Sequence, residues 1–400
     1  MLFLRLTVGG LALQQLSMVC ASRRERSPRC IRVVHIASGD LWAGAEAQLY
    51  ILAKKLSNLS EIALRVVLLN HGILERRLRE QRVEVTVLDE KQLGSLQIFW
   101  QLYRLLEGIR PHIVHTHRRK ENVLGSLAAL FVRHCKCIRT VHGAAEIPVR
   151  PWQLRKIAYR LADWFCGRFV QDRIVAVSRD LGQSLARRFT ARRIEIIPNG
   201  IDLNEVRVAS QEPVEIPGLD GALKIAFAGR LVPVKRADIF VEVARQLIAH
   251  REDLCRFYIF GDGPMSEPLK QQVRKLGLEP YVFWMGFRES LPSYLARMDA
   301  LLITSDHEGL PMNLLEALAL NVPVIAHAVG EIPRVLGEGR YGEVIRTQEP
   351  KQYVSVVLGL AANLGAARRR ASDGAQHVAH NYSVRRSAAA YVRLYEGLVK

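Results

Sequence analysis

The sequence predicts an α/β protein of two doubly wound, Rossmann-like domains facing an interdomain cleft. Three observations carry this expectation. From residue 31 onward, short apolar runs rich in Val and Ile alternate with amphipathic segments, the pattern of parallel strands covered by helices on both faces. The alternation lapses in VRVASQEPVEIPGLDGA, where Pro and Gly replace periodicity, and restarts at LKIAFAGRL. Four hundred residues, 49% hydrophobic and 24% charged, suffice for two cores of ordinary size.

In chain order, residues 1–30 read as a leader. Arg5, Gln14 and Gln15 interrupt its apolar run, and its positive charge follows that run, the reverse of a secretory signal. It is expected to be disordered or a weak interfacial membrane anchor. The first strand is expected at 31–37 (IRVVHIA), followed by the loop SGDLWAG and a helix in AEAQLYILAKKLSN. Strands at ALRVVLLN, RVEVTVLD, HIVHTH, IRTVHG and RIVAVS complete an N-terminal domain over 31–207, with helices at SLQIFWQLYRLLEGI, up to Val132 and from Pro151. Residues 208–222 form the linker. In the second domain, 223–380, strands are expected at LKIAFAGRL, CRFYIFGDG, YVFWMGF, ALLITS, VPVIAHA and EVIRT, with helices from Lys235 and from Pro311. A last helix, near 387–399 within 381–400, is free to pack on either domain or cross back to the first. Ligands of such sheets bind beyond the carboxyl ends of the strands, so two facing domains create one cleft.

Charge is unevenly spread. Of the net +18, residues 1–207 hold 34 Lys and Arg against 18 Asp and Glu, and residues 208–400 hold 23 against 21. The basic half calls for an anionic partner. No zinc-finger, RNP or basic-zipper motif appears, so nucleic acid is set aside in favour of a membrane surface or a phosphorylated substrate. Six cysteines, at 20, 30, 135, 137, 166 and 255, fit neither a disulfide framework nor paired zinc-ligand spacing, and Cys135 and Cys137 read as ordinary thiols of a reducing cytosol.

Residues 305–325, SDHEGLPMNLLEALALNVPVI, hold the strongest chemical signal. Glu308 lies in the turn after an apolar strand and Glu316 inside a helix, and Pro311 suits the first helical position. A helix entered through Gly309 offers unpaired N–H groups, a seat for phosphate. Carboxylates beside phosphate are tolerable when aimed at hydroxyls, which points to a ribose or a sugar. An isolated glutamate pair at this spacing more often caps a helix or faces solvent, so the flanking residues decide. Arg230, in Gly229–Arg230–Leu231 after the first strand of the second domain, and Lys235 at the next helix start both reach the cleft mouth, where a diphosphate needs cations. Gly261–Asp262–Gly263–Pro264 is turn chemistry that shapes the cleft. Gly286, in Met285–Gly286–Phe287, lets a base approach the backbone.

The ordered set AGAE (43–46), HTH (115–117), PNGID (198–202), GRLVPVK (229–235), GDGP (261–264), MGF (285–287) and SDHEGLPMNLLEALALNVPVIA (305–326) resembles the retaining glycosyltransferases of family 4, of GT-B fold. The resemblance covers nearly everything from residue 31 onward. It implies that the second domain binds a nucleoside diphosphate sugar and the first an acceptor. By the same match, Arg230 and Lys235 hold the diphosphate, Glu316 bonds the ribose and Glu308 contacts the transferred sugar. The backbone of Gly309 and Leu310 lies against the donor, Gly44 admits the phosphates, and His117 sits beside the reacting carbon. Departures are Asn321 and Ala43 where glycine is usual, and Glu331 and Arg334 in GEIPRV.

The leaving diphosphate is expected to be stabilised by Arg230, Lys235 and the helix N-terminus without a metal or cofactor, since the chain contains no Asp-x-Asp element. The expected function is metal-independent retaining hexosyl transfer to a hydroxyl of a lipid-linked or polysaccharide acceptor in cell-surface glycan synthesis, such as lipopolysaccharide. The expected location is the cytoplasm, peripheral at the inner membrane through the basic half. The segment 152–169 interleaves Trp152, Tyr159, Trp164 and Phe165 with Arg155, Lys156, Arg160 and Arg168. A helix on an anionic membrane shares this pattern with a core helix bearing a solvated charged face, the preferred reading for this one helix. The membrane expectation rests on the charge of the whole half. The rival readings are a GT-B sugar-nucleotide epimerase and a non-catalytic nucleotide-binding module.

Overall fold

The computed structural model describes residues 30–143, 154–218 and 221–400. The expected leader, Pro151 and Trp152 lie outside these residues, as do the side chains of Arg155 and Lys156.

The N-terminal domain runs β1 (Ile31–Ala37), α1 (Gly44–Ser57), β2 (Ile62–Leu68), α2 (Ile73–Glu80), β3 (Glu84–Val87), α3 (Ser95–Ile109), β4 (Ile113–Thr116), α4 (Arg119–Leu130), β5 (Lys136–Val141), α5 (Leu154–Phe165), β6 (Arg173–Ala176), α6 (Arg179–Ala186), β7 (Ile194–Ile196) and α7 (Leu203–Ser210). A π-helical turn, Cys166–Val170, extends α5. Among the described residues the strands form one seven-stranded sheet of order β3-β2-β1-β4-β5-β6-β7, every pairing parallel. Val33, Val34 and Ile36 are buried on alternate faces of β1, which is why that strand reads as a continuous apolar run.

The second domain runs β8 (Leu223–Ala228), α8 (Ala237–His250), β9 (Cys255–Phe260), α9 (Ser266–Lys275), β10 (Val282–Gly286), α10 (Leu291–Leu295), β11 (Ala300–Ile303), α11 (Met312–Ala319), β12 (Val324–His327), α12 (Ile332–Val335), β13 (Glu343–Ile345), α13 (Pro350–Ala362) and α14 (Leu364–Asn381). Its six-stranded parallel sheet has the order β10-β9-β8-β11-β12-β13. Strand order reverses between β1 and β4 in one sheet and between β8 and β11 in the other. These are the points where an α/β sheet opens a crevice for ligand.

The last helix, α15 (Val384–Val399), packs on β1 and α1, and its Tyr391 and Tyr395 are buried in the core of the N-terminal domain. Ile201 pins its start by bonding Tyr382 and Val384 through the backbone at 2.8 and 2.9 Å. Gly200 permits this crossing, because a Cβ there would stand 2.6 Å from Val384 Cα.

Several boundaries differ from the sequence reading. Lys235 lies in a 3-10 turn, and Arg236 takes a left-handed conformation (φ 51°) before α8 starts at Ala237. Pro311 is the residue before α11, extended at φ −70° and ψ 131°, and Met312 is the first helical residue. The expected linker begins inside α7, whose start is fixed by Asp202 accepting hydrogen bonds from the N–H groups of Asn204 and Glu205. No helix of the described residues is long and apolar enough to cross a membrane. Cys135, Cys137, Cys166 and Cys255 are free thiols.

Candidate active site

The carboxyl ends of the two sheets face a cleft of about 1230 Å³ lined from both domains. The walls touch at its floor. A Cβ on Gly309 would lie 2.4 Å from the carbonyl oxygen of His142, so only glycine allows the two backbones this approach. Asn199 Nδ2 donates to the Leu310 carbonyl at 2.9 Å, and the Arg179 N–H donates to Glu331 at 3.1 Å.

The C-terminal wall is built from strand ends. After β11, the chain turns through Ser305 and Glu308 into α11. Lys235 Nζ donates to Glu308 Oε1 at 2.6 Å, and Ser305 Oγ donates to the same oxygen at 2.7 Å. The lysine expected to face a diphosphate therefore meets a carboxylate. Arg230 lines the cleft beside them after β8. Asn313 anchors α11 to the end of β8 by donating to the Ala228 carbonyl at 2.6 Å. Glu316 opens partly on the cleft yet is ringed by protein, and burial pushes its carboxyl up to about 7, with the Arg77 charge pulling the other way. Arg77 comes from α2 of the opposite domain, stacks over Trp42 at 4.4 Å, and donates to the Glu289 carbonyl at 3.3 Å. Its neighbour Arg76 pairs with the Glu289 carboxylate at 2.6 Å, a clasp across the cleft.

The part of the N-terminal wall at the ends of β4 and β5 is imidazole. His115 and His117 project from one face of β4 and its end, two residues apart, as Thr140 and His142 do from β5. His35 stands in register beside His115 on β1. His117 Nδ1 meets His142 Nε2 at 3.2 Å, and its Nε2 meets His35 Nδ1 at 2.9 Å. Burial drives all four rings toward the neutral form: His35 to about 3, His142 to about 4, and His115 and His117 well below the usual value. Both nitrogens of His117 are thus engaged within the wall. The nitrogen without a partner is His142 Nδ1, in a residue lining the cleft.

The structure brings His117, Gly44, Arg230, Lys235, Glu308, Gly309, Leu310 and Glu316 to this one cleft. Gly286 stands just behind the lining, with φ at +66°, and Phe287 and Arg288 after it face the cavity. Gly44 opens α1, and a Cβ there would make only an ordinary contact, 3.7 Å from Met312 Cγ. The departures have local reasons. Ala43 is extended (φ −136°, ψ −175°), which any residue adopts, and Asn321 holds the left-handed turn after α11 at φ 58°, a position asparagine tolerates. Glu331 is buried against the first turn of α6, where a carboxylate meets free N–H groups and the helix dipole.

Sequence reasoning passed over His35, His142, Tyr391, Tyr395 and the Arg77–Glu289 contact. The signal for His142 was present, since T-x-H at 140–142 repeats the same-face spacing of H-x-H at 115–117. Nothing local marked the two tyrosines, which reach the cleft wall only because α15 crosses back.

Two facing parallel sheets with a charged cleft between them define the GT-B architecture. Anabaena HepE, solved in complex with UDP-glucose, shares it: the match has a TM-score of 0.78 at 19% identity and covers 92% of this chain and all of that one. The model of Glycosyltransferase Family 4 matches residues 42–205 and that of Glycosyl transferases group 1 matches residues 222–363, and the chain belongs to this family. Among curated relatives, the Escherichia coli UDP-Gal:alpha-D-GlcNAc-diphosphoundecaprenol alpha-1,3-galactosyltransferase is 29% identical over 232 residues, 56% of this chain and 59% of that protein. The Staphylococcus aureus poly(ribitol-phosphate) alpha-N-acetylglucosaminyltransferase is 23% identical over 172 residues, 43% of this chain and 35% of that protein. The chain thus matches about half the length, or less, of these relatives.

Proposed function

We propose that the protein transfers a sugar from a nucleoside diphosphate sugar, with UDP as the first base to test, to a hydroxyl of a lipid-linked or polysaccharide acceptor. The observation that carries this reading is the Lys235–Glu308 pair beside Arg230 and the start of α11. A diphosphate entering there takes Lys235 as a counter-ion, and the freed Glu308 turns to the sugar hydroxyls. Glu316, one turn into α11, accepts the ribose hydroxyls. The UDP-glucose in the HepE complex and the UDP-Gal named for the E. coli relative support uridine as the base. The polyprenol diphosphate and poly(ribitol-phosphate) acceptors named for the relatives support an anionic, membrane-borne acceptor for the basic domain.

The transfer breaks the bond between the anomeric carbon and the phosphate oxygen, and the diphosphate leaves with the electron pair. Arg230, Lys235 and the helix N–H groups stabilise that charge as it develops, with no metal required. The acceptor oxygen forms its bond on the face the phosphate leaves, so configuration is retained, and the acceptor proton passes to the departing phosphate. His117, held inside the wall, is a support in this scheme, and His142 is the imidazole facing the sugar.

Surface chemistry supports the lipid-linked acceptor. Trp100, Phe131, Leu161, Trp164, Phe165 and Phe169, on the adjacent helices α3, α4 and α5 and the turn after it, are between 43% and 64% exposed. Arg104, Arg133, Arg160 and Arg168 are exposed among them. Tyr159 instead bonds Ser95 at 3.0 Å. An apolar patch ringed by arginine suits an anionic bilayer surface.

The test begins with thermal unfolding of the full chain against UDP-, GDP- and ADP-sugars, where the true donor raises the midpoint. Release of the nucleoside diphosphate is then followed with lipid-linked acceptors, with and without EDTA, and the product anomer is read by NMR. Acceptor-dependent release that survives EDTA and yields a retained anomer is expected. Interconversion of the donor without acceptor would instead establish an epimerase.

A further inference from the structure

An unbroken file of hydrogen bonds runs from the cleft to the C-terminal helix. His142 Nε2 meets His117 Nδ1 at 3.2 Å, His117 Nε2 meets His35 Nδ1 at 2.9 Å, and His35 Nε2 meets the Tyr395 hydroxyl at 3.2 Å. The same hydroxyl meets His115 Nδ1 at 2.8 Å, His115 Nε2 meets Thr140 Oγ1 at 2.8 Å, and Thr140 Oγ1 meets the Tyr391 hydroxyl at 2.9 Å. Sheet register aligns the histidines, and Tyr391 and Tyr395, four apart on α15, share one helix face.

A neutral imidazole carries one N–H and one bare nitrogen, and each hydroxyl has one proton to give. Fixing one proton therefore fixes every other, and the file has only two arrangements. Deep burial keeps the rings neutral, as their strongly lowered proton affinities indicate.

Tyr391 decides between the two. Its hydroxyl lies in the core, with Thr140 as its hydrogen-bond partner among the described residues. If Tyr391 donates, Thr140 donates to His115, His115 to Tyr395, Tyr395 to His35, His35 to His117, and His117 to His142. Every proton but the one on His142 Nδ1 is then used. In the opposite arrangement the unused proton is that of Tyr391, in the core. Of the two, only the proton on His142 stands in a residue that lines the cleft, where an oxygen of a bound substrate can accept it. Either way the file ends at His142 Nδ1, buried and without a partner at the cleft wall. The favoured arrangement puts a proton on that nitrogen.

We propose that Tyr391, Thr140 and Tyr395 are positioning residues that hold His115, His35, His117 and His142 as Nδ1–H tautomers, so that His142 offers the cleft a fixed N–H donor and no basic nitrogen. Its partner is an acceptor oxygen of the bound substrate, a sugar hydroxyl or a phosphoryl oxygen. Three nitrogens of His35, His115 and His117 also lie within 4.8 Å of one another, a spacing open to a metal ion. Every ring nitrogen of those three residues already has a hydrogen-bond partner, and the cluster includes no carboxylate, so hydrogen bonding accounts for it.

The test uses the full chain labelled with 15N-histidine, read by long-range proton–nitrogen correlation, which separates protonated from bare ring nitrogens. Wild-type protein is expected to show Nδ1–H at all four positions. Thr140→Val cuts the file while keeping side-chain volume, and Thr140→Ser preserves it. The valine variant is expected to mix tautomers at His142 and to lower kcat about tenfold, the rate equivalent of one ordinary hydrogen bond, with the donor KM within about twofold. The serine variant is expected to restore both. An Nε2–H at His117 or His142 in the wild type overturns the proposal, as does a valine variant with unchanged tautomers and rate. A stoichiometric metal whose removal by chelator shifts these resonances overturns it as well. The tautomer readout needs no turnover, so only the kcat measurement rests on the transfer reading, and absent transfer leaves the assignment open to its own refutation.

Discussion

The C-terminal wall of the cleft is charged and built mostly from residues close in sequence, whereas the imidazole cluster of the N-terminal wall is neutral, buried and gathered from residues as distant as His35 and Tyr395. Lys235 and Glu308 keep 23% and 9% of their side chains exposed, where an arriving anion can exchange partners with them. The imidazole wall has no such freedom, because each nitrogen but one is committed. A leaving group that gains charge needs ions that respond to it. A sugar held for attack needs donors that stay in place. Under the proposed transfer, electrostatic work falls to one side of the cleft and orientation to the other.

The largest expected effect tests how far the N-terminal wall depends on polar burial. Arg139, 7% exposed, pairs with Asp163 at 3.0 Å, and Asp163 also accepts from Asn122 Nδ2 at 2.6 Å. This ties α5 to β5 and α4. Asp163→Ala leaves a buried guanidinium without its counter-ion and should cost about 3–5 kcal/mol in urea unfolding. A loss below about 1 kcal/mol would mean that water reaches Arg139 and that this wall is not dry. The next effect belongs to the other wall. Lys235→Ala should lower kcat about 10²–10³-fold, the usual size for losing one preorganised donor to a developing anion, with little change in the unfolding midpoint. His142→Ala should cost nearer tenfold. Equal losses for the two variants would erase the division of labour.

The same contrast explains what could be read from the sequence. The succession of strands and the C-terminal site follow from contiguous stretches: GRLVPVK and SDHEGLPMNLLEAL carry Arg230, Lys235, Glu308 and Glu316 within two short segments after two strands, while the order of strands within each sheet was not read from the sequence. The pairing of site residues was not legible, since nothing in the string says that Lys235 and Glu308 meet at 2.6 Å. His117 was legible as a cleft residue by its motif, but its partners were not. Tertiary crossing brings Tyr395 to His35, and an N–H pointing at a core tyrosine leaves no local pattern. The helices at 350–381 escaped notice because α13 is apolar along most of its length and the Ala- and Arg-rich α14 shows weak periodicity. Asn321 and Ala43 appeared as departures because a family pattern cannot report φ, and the observed angles suit both residues.

Glu316 lies between the two regimes, a charge on the responsive wall held in a nearly buried seat. Its folded pKa, about 7, exceeds its unfolded value of 4.5. The native state therefore holds the proton more tightly, so this group's contribution to stability is greatest below pH 4.5, declines as pH rises toward 7, and is level above it. Glu316→Gln should remove that decline and raise stability at pH 8 by about 2 kcal/mol over wild type, with parity near pH 4. Donor affinity should behave oppositely. The ionised carboxylate accepts two ribose hydroxyls, so wild-type affinity should rise through pH 7, while the glutamine variant binds more weakly and without that step. Calorimetric titration with the nucleotide at pH 6 and 8 reads both, and a pH-independent wild-type affinity would remove Glu316 from the ribose.

The smallest expected effect lies where the walls join. Asn199, 5% exposed, gives its amide hydrogen to the Leu310 carbonyl, in the backbone that the family resemblance lays against the donor. Asn199→Ala loses one neutral hydrogen bond and should cost about 1 kcal/mol of stability, with a donor KM a few-fold higher because Leu310 is less firmly held. Asn199→Asp keeps the volume but turns a carboxylate oxygen toward that carbonyl, and should therefore cost more than the alanine on both measurements. If the two variants match, the side chain only fills space and the coupling of the walls rests on their other contacts, the Gly309–His142 approach and the Arg179–Glu331 hydrogen bond among them. If the aspartate is worse, the hydrogen bond itself couples the orienting wall to the charged one.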